Sequence, residues 1–187
     1  MVGADGDARN LNANSLLEFL NLWSEHLEVI SPPERYPQFK EEISTLSRKN
    51  KFNTNSTVYR IILKNGLVIY AFGWSKNCSM TYANWNVNNL YKTICGKIYV
   101  DINGKTAPNA LGRDIFGFYY TRNRIVPLGA DKEPYYTFTR LCNLGKADTW
   151  DGGFNGESCA AWVLYNKNMD YLHCNNLSWK GKIRCKK

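Results

Sequence analysis

Hydrophobic positions near the start of the chain recur with the period of a helix. Between residues 12 and 30, apolar side chains follow one another at steps of three or four, which places them on one helical face. These side chains are Leu16, Leu20, Trp23, Leu27 and Ile30. Asn14 or Ser15 is the expected cap, and Glu18 completes a capping-box pattern three residues after Ser15. The prolines of "SPPERYP", Ser31–Pro37, end the predicted helix because proline cannot continue it.

The pattern after a predicted short helix, Gln38–Leu46, is typical of β-structure. Two runs rich in β-branched and aromatic residues lie between Thr57 and Phe72 and flank Asn65-Gly66. Asn-Gly tolerates the positive φ of a tight turn, so this segment predicts a β-hairpin. Later apolar runs predict two more strands, Gly96–Ile102 and Asp114–Tyr120. The run Cys159–Tyr165 fits a strand or a short helix, and its two alanines favour the helix.

These elements predict an α+β fold. An N-terminal amphipathic helix would pack on an antiparallel sheet of about four strands, with disulfides stapling the loops. The 187 residues, 44% of them hydrophobic, suffice for one domain with a core, predicted over residues 11–187. The polar opening "MVGADGDARN", residues 1–10, is interpreted as an added leader or a truncated end. No apolar run approaches the about 20 residues of a membrane span.

The six cysteines add cross-links to this prediction. They are Cys78, Cys95, Cys142, Cys159, Cys174 and Cys185. None are at C-x-x-C spacing, and the chain has two histidines, so a zinc site is disfavoured. Three disulfides formed in an oxidising compartment fit the even count and wide spacing. Proximity along the chain favours Cys78–Cys95, Cys142–Cys159 and Cys174–Cys185, while other connectivities and buried reduced pairs stay open as alternatives.

The net charge of +8 permits nucleic acid or an anionic membrane as a partner. Basic side chains are scattered, however, apart from one cluster near the end of the chain. That cluster is Lys180, Lys182, Arg184, Lys186 and Lys187. The interpretation that follows is a solvated basic surface, with nucleic acid a disfavoured partner.

Motifs for catalysis are weak. "GKT" at Gly104–Thr106 resembles part of a phosphate-binding loop, but Tyr99 stands where that loop needs its first glycine. His173 precedes Cys174, whose thiol a disulfide would consume, and His26 lies on the predicted helix. The sequence therefore predicts a protein that is not an enzyme.

The segment Val100–Phe118, which we call the central loop, is rich in oxygen ligands and turn-forming residues. The candidate calcium ligands are Asp101, Asn103, Asn109 and Asp114. Carboxylate and amide oxygens suit Ca²⁺, although the spacing departs from the EF-hand pattern. The alternative is a structured turn, because Asp and Asn bond readily to nearby backbone. A weaker second candidate is the acidic loop with Asp148, Asp151 and Glu157.

Six tryptophans raise the question of carbohydrate binding. Trp85 and Trp150 are the candidate platforms for sugar rings, and the amides of "NWNVNN", Asn84–Asn89, would add hydrogen bonds. Tryptophan is usually well buried, so packing is the alternative use of these side chains. A secreted, disulfide-rich carbohydrate-binding module is thus one hypothesis for the function.

Two longer stretches resemble the globular domains of bacterial type IV pilin-like proteins, the pilins and the type II secretion pseudopilins. They are "CGKIYVDINGKTAPNALGRDIFGFYY" with the following "RIVPLG", within Cys95–Gly129, and "CAAWVLYNKNMDYLHCNNLSW", Cys159–Trp179. The central loop carries the pattern D-x-N-G, P-N, G-x-D-x-F of one host-associated group. The resemblance extends over Leu16–Trp179 and is most specific in the central loop and in "NMDYL".

The resemblance implies a structural subunit that acts by assembling into a pilus or pseudopilus with like subunits. It implies a precursor that is cleaved, methylated and anchored in the inner membrane by an apolar helix, which this sequence lacks. The location would be the cell envelope, as a periplasmic or extracellular filament. Pseudopilins of this superfamily bind calcium beside the sheet, but the central loop does not follow their motif, so no ligands are transferred. The family also implies a long N-terminal helix packed on a sheet of about four strands.

Overall fold

The computed structural model describes residues 13–52, 54, 56–80, 89–145 and 154–186. Contacts divide the chain into two compact units. The first unit comprises residues 1–37, 55–104 and 118–126, and the second comprises residues 38–54, 105–117 and 127–187. The single domain predicted for residues 11–187 stays a prediction.

The strands form one six-stranded sheet in the order β1-β2-β3-β4-β5-β6. Their bounds are β1 Glu34–Arg35, β2 Tyr59–Ile62, β3 Val68–Phe72, β4 Ile94–Asp101, β5 Ile115–Thr121 and β6 Ile125–Pro127. The predicted hairpin is confirmed, because β2 and β3 pair antiparallel and Gly66 adopts φ +88° in the turn between them. The Leu67 N–H donates to Asn65 Oδ1 at 3.1 Å and fixes that turn.

The helices are short. They are α1 Leu16–Ser24, α2 Phe39–Glu42, α3 Phe138–Leu141 and α4 Ala160–Asn166, with 3-10 turns at Asn89–Lys92, Glu157–Cys159 and Asp170–Leu172. The predicted cap is confirmed, since Ser15 Oγ accepts from the Glu18 N–H at 3.2 Å. Glu18 Oε2 in turn accepts from the Asn14 N–H at 2.6 Å. The described residues include no helix long and apolar enough to cross a membrane.

The predicted fold class is wrong. Instead of a pilin-like helix on a sheet of about four strands, the sheet has six strands and α1 has nine residues. Both faces of β3 are covered, because each of its five residues is buried. The two extra strands are short edge segments, β1 and β6, whose few residues carry no alternating pattern that a sequence analysis could detect.

The predicted helix is too long because residues after Ser24 join the sheet. The Ile30 N–H donates to the Ile62 carbonyl at 2.8 Å, and Val29 forms an antiparallel bridge with Leu63. The segment with Pro32 and Pro33 continues into β1, an edge position that tolerates proline. Leu27 packs against the core without being helical, so its helical spacing misled the prediction.

The core of the first unit joins α1 to one face of the sheet. Leu16, Phe19 and Leu20 pack with strand residues that include Ile61, Ile69, Ala71 and Ile98. On β3 the alternate residues Tyr70 and Phe72 contact other aromatic rings, Tyr36 at 5.6 Å and Tyr99 at 5.0 Å between centroids. A strand buried on both faces shows a continuous apolar run rather than strict alternation.

The core of the second unit is aromatic. Phe138 stacks on Trp162 with ring centroids 4.0 Å apart, and Tyr171 and Trp179 meet Phe138 edge-on. Trp162 is fully buried, and its indole N–H donates to Asn168 Oδ1 at 3.0 Å. The short helix predicted at Cys159–Tyr165 is confirmed as α4, which supplies Trp162.

Candidate functional site

The first two candidate calcium ligands lie at the end of β4 and close a local turn. Asp101 is completely buried, and its Oδ1 accepts from the Asn103 N–H at 3.2 Å. Gly104 follows with φ +63°. This is the side-chain-to-backbone bond by which Asp favours turns, so Asp101 already has a structural role in the first unit.

The other two candidate ligands form a second turn, within the second unit. The Asp114 carboxylate accepts from the Asn109 N–H at 2.8 Å and from the Ala110 N–H at 2.7 Å. Asn109 adopts φ +45°, and the Ala107-Pro108 peptide bond before it is cis. Both oxygens of a buried carboxylate thus bind backbone amides, and charge-assisted bonds of this kind are the stronger class.

These contacts bear on the calcium prediction. The carboxylates of Asp101 and Asp114 accept hydrogen bonds from backbone amides of their own turns. Among the residues described here, no three His, Cys, Asp or Glu side chains come together as a metal site. The donor set as it stands does not fit the six to eight oxygens that Ca²⁺ requires. Calcium binding by the central loop therefore stays a prediction. In the second acidic loop Glu157 is buried, while Asp148 and Asp151 lie outside the described residues.

The cysteines form three disulfides, Cys78–Cys95, Cys142–Cys159 and Cys174–Cys185. The pairing favoured by proximity is confirmed. Cys78–Cys95 belongs to the first unit, and the other two belong to the second. Disulfides persist in oxidising environments, so they indicate an extracellular or periplasmic location.

The second unit contains a cavity of about 240 Å³ that no sequence pattern predicted. Its polar lining is Thr139, Asn143, Asn175, Asn176 and Ser178, and Phe138, Tyr171 and Leu177 contribute apolar surface. No lining residue is charged at neutral pH, which suits a small neutral ligand with hydrogen-bonding groups. The signal in the sequence was the amide run Asn175-Asn176 beside Cys174, but amides are equally common in turns.

Tyr171 is the one titratable group at this cavity. Its hydroxyl donates to the Gly112 carbonyl at 2.7 Å in a buried position. Burial raises the pKa of the Tyr171 phenol far above its ordinary value, with a partly opposing contribution from the Arg113 charge. A phenol held neutral and hydrogen-bonded in this way anchors structure and is a poor acid or base at neutral pH.

The described tryptophans are used in packing. Trp23 and Trp74 stand against Phe19, and the Trp179 indole N–H donates to the Gly129 carbonyl at 3.0 Å. Trp85, Trp150 and the rest of Asn84–Asn88 lie outside the described residues, so the predicted sugar platforms stay a prediction. His26 and His173 are exposed.

No protein-family model, curated protein or solved structure matches the chain.

Proposed function

We propose that this chain is the extracytoplasmic domain of a structural subunit of a type IV pilus or type II secretion pseudopilus. The observation that carries the proposal is the use of the motif residues in the central loop. Asp101 and Asp114, the two acidic positions of the D-x-N-G, P-N, G-x-D-x-F pattern, each bind backbone amides. The acidic motif residues thus stabilise a loop conformation, which suits a family of structural subunits better than a family of enzymes.

The proposed mechanism is assembly. Like subunits would associate through the apolar N-terminal helix that the resemblance implies, anchored in the inner membrane before assembly, and the units described here would form the outer surface of the filament. Three disulfides support a domain that works outside the reducing cytoplasm. The proposal does not depend on a four-stranded sheet.

Immunogold electron microscopy of cells that produce the native protein tests this proposal. Antibody raised against the chain is expected to label filaments along their length, and sheared filaments should contain the protein. Mass spectrometry of the native N-terminus should find an N-methylated residue followed by an apolar helix. A freely secreted protein, cleaved after an ordinary signal peptide and absent from filaments, would refute the proposal.

The neutral cavity favours a second candidate, a secreted carbohydrate-binding module. Asn175 and Asn176 are exposed at the rim, and the buried ring of Phe138 contributes to the lining. Amide groups beside apolar surface are the kind of lining that binds small neutral ligands. A glycan array probed with the chain and with Asn175→Ala/Asn176→Ala tests this candidate, which requires binding that the double variant loses. A matched control is Asn123→Ala, at an exposed turn in the first unit.

A further inference from the structure

One end of the second unit combines exposed apolar and basic side chains. We call it the basic–apolar surface and define it by Leu164, Tyr165, Lys180, Lys182, Ile183 and Arg184. Of the six large hydrophobic side chains that are exposed among the described residues, three lie here. Leu164 is 43% exposed, Tyr165 65% and Ile183 46%. Such side chains usually lie in cores, so their concentration beside charges marks an interaction site.

Specific contacts bring the two segments of this surface together. Tyr165, at the end of α4, meets the ring of Trp179 edge-on with centroids 6.1 Å apart. Asn168 Nδ2 donates to the Ile183 carbonyl at 3.4 Å. The Cys174–Cys185 disulfide closes the loop that carries the basic residues, and the Cys185 N–H donates to Asp170 Oδ2 at 2.7 Å. These contacts hold the two segments of the basic–apolar surface in place within the second unit.

The charge of this surface has one sign. Lys180, Lys182 and Arg184 are exposed, and so are Lys167, directly after α4, and Lys186, directly after Cys185. Within the described parts of the chain, none of these cations pairs with a carboxylate. The nearby carboxylate of Asp170 already accepts a backbone N–H. The complementary partner therefore carries negative charge.

We propose that the basic–apolar surface binds anionic lipid bilayers. The cations would contact phosphate headgroups, and Leu164 and Ile183 would enter the boundary between headgroups and acyl chains. The exposed aliphatic side chains of Leu164 and Ile183 favour an anionic bilayer over nucleic acid as the partner. A bilayer offers apolar matter to bury them, whereas nucleic acid offers phosphates and aromatic bases. This inference does not depend on the filament proposal.

Flotation with lipid vesicles tests the inference on the disulfide-bonded chain. We expect binding to vesicles of phosphatidylglycerol and phosphatidylcholine, and little binding to pure phosphatidylcholine. Each cation near an anionic headgroup layer contributes about fivefold to partitioning, so Lys180→Gln/Lys182→Gln/Arg184→Gln should weaken binding about hundredfold. The matched control, Lys64→Gln/Arg124→Gln/Lys132→Gln, makes the same change in net charge at exposed positions elsewhere and should bind nearly as the parent does.

The aliphatic side chains are tested separately. Leu164→Ser/Ile183→Ser leaves every charge in place and should weaken vesicle binding about tenfold. Ile30→Ser/Ile125→Ser is its control, because Ile30 and Ile125 are 64% and 49% exposed in the first unit. Thermal melts confirm that each variant is folded.

Three results would overturn the inference. The first is no binding to the anionic vesicles. The second is an equal loss with the control variants, which would mean attraction by net charge alone. The third is full vesicle binding by Leu164→Ser/Ile183→Ser together with comparable affinity for duplex DNA, which would identify a general polyanion surface.

Discussion

The first unit contains β1 to β4 and most of β5 and β6, whereas the second consists mainly of helices of four to seven residues joined by loops. In the first, backbone groups satisfy one another through the ladder, and α1 covers an apolar face. In the second unit, side chains form many of the hydrogen bonds to backbone groups. Asp114, Glu133, Asn155 and Tyr171 all bind backbone groups of loops. Loop-rich structure thus needs buried polar side chains where a sheet needs few.

Cross-links reflect the same contrast. The second unit has two of the three disulfides, and Cys142–Cys159 ties the end of α3 to the start of α4. Cys78–Cys95 and Cys142–Cys159 both have a sequence separation of 17. Because the two disulfides close loops of equal length, they reduce the entropy of the unfolded chain equally. A difference between the free energies lost on removing them therefore reports how strongly other contacts stabilise each unit.

Removing Cys142–Cys159 should have the largest effect. We expect Cys142→Ala/Cys159→Ala to lower the free energy of unfolding by about 4 kcal/mol and the melting temperature by about 10 °C. Cys78→Ala/Cys95→Ala should cost about 3 kcal/mol, because the ladder persists without the cross-link. Chemical denaturation measures both, and hydrogen exchange assigns the loss to a unit. An equal or smaller cost for the second unit would contradict the comparison.

Two turn glycines with nearly equal φ give the next contrast. Gly66 and Gly129 adopt φ +88° and +89°. A Cβ on Gly66 would meet nothing within 4 Å, whereas one on Gly129 would lie 1.9 Å from the Ser158 carbonyl oxygen. Alanine at either position pays the same penalty for a positive φ. The difference in unfolding free energy between the two alanine variants therefore measures the cost of the steric clash at Gly129.

We expect Gly66→Ala to cost about 1 kcal/mol, from backbone strain alone. Gly129→Ala should cost about 3 kcal/mol or more, because the chain around Ser158 must also move. Denaturation of the two single variants measures the difference directly. Equal costs would show that the loop around Ser158 yields easily, and would contradict the tight packing inferred for the second unit.

The Asp114 turn provides a third, smaller effect. Asp114→Asn keeps the side-chain shape but removes one of two acceptors, so we expect a loss of about 2 kcal/mol. Asp131→Asn is the control, because Asp131 is exposed. If both variants change the free energy of unfolding by the same amount, the Asp114 carboxylate does not hold the central loop.

The calcium prediction is tested with alanine variants of Asp101 and Asp114. If the central loop binds calcium, saturating Ca²⁺ raises the melting temperature by mass action. Asp101→Ala or Asp114→Ala should then abolish the rise. A melting temperature that does not respond to Ca²⁺ would leave the two carboxylates with the turn-forming role seen in the structure.

Short-range signals decided how much of the molecule its sequence predicted. The hairpin around Asn65-Gly66 and the strands β4 and β5 followed from local patterns, because turn chemistry and strand periodicity are short-range signals. The cavity could not be predicted, because it depends on where loops separated along the chain meet. Proximity alone sufficed for the disulfides, since each closes a short loop.

Tyr171 gives the smallest effect at neutral pH and a distinctive one at high pH. Tyr171→Phe removes the bond to the Gly112 carbonyl and should cost about 1 kcal/mol at pH 7. Because burial raises the pKa of Tyr171 in the folded state, its phenol is neutral in both states below about pH 10. Above that pH the unfolded phenol ionises first, so the stability contributed by Tyr171 falls as the pH rises.

The free energies of unfolding of the parent and Tyr171→Phe should therefore converge as the pH rises from 9 to 11, because ionisation of the unfolded phenol removes up to about 1.4 kcal/mol, enough to offset the difference of about 1 kcal/mol at pH 7. Urea denaturation across that range measures the convergence, and other groups that titrate there cancel in the difference. Tyr165→Phe, at a position 65% exposed, is the control and should run parallel to the parent. A constant gap between Tyr171→Phe and the parent would mean that the phenol ionises equally well in both states. In that case the aromatic core of the second unit would be open to water, unlike the apolar face beneath α1.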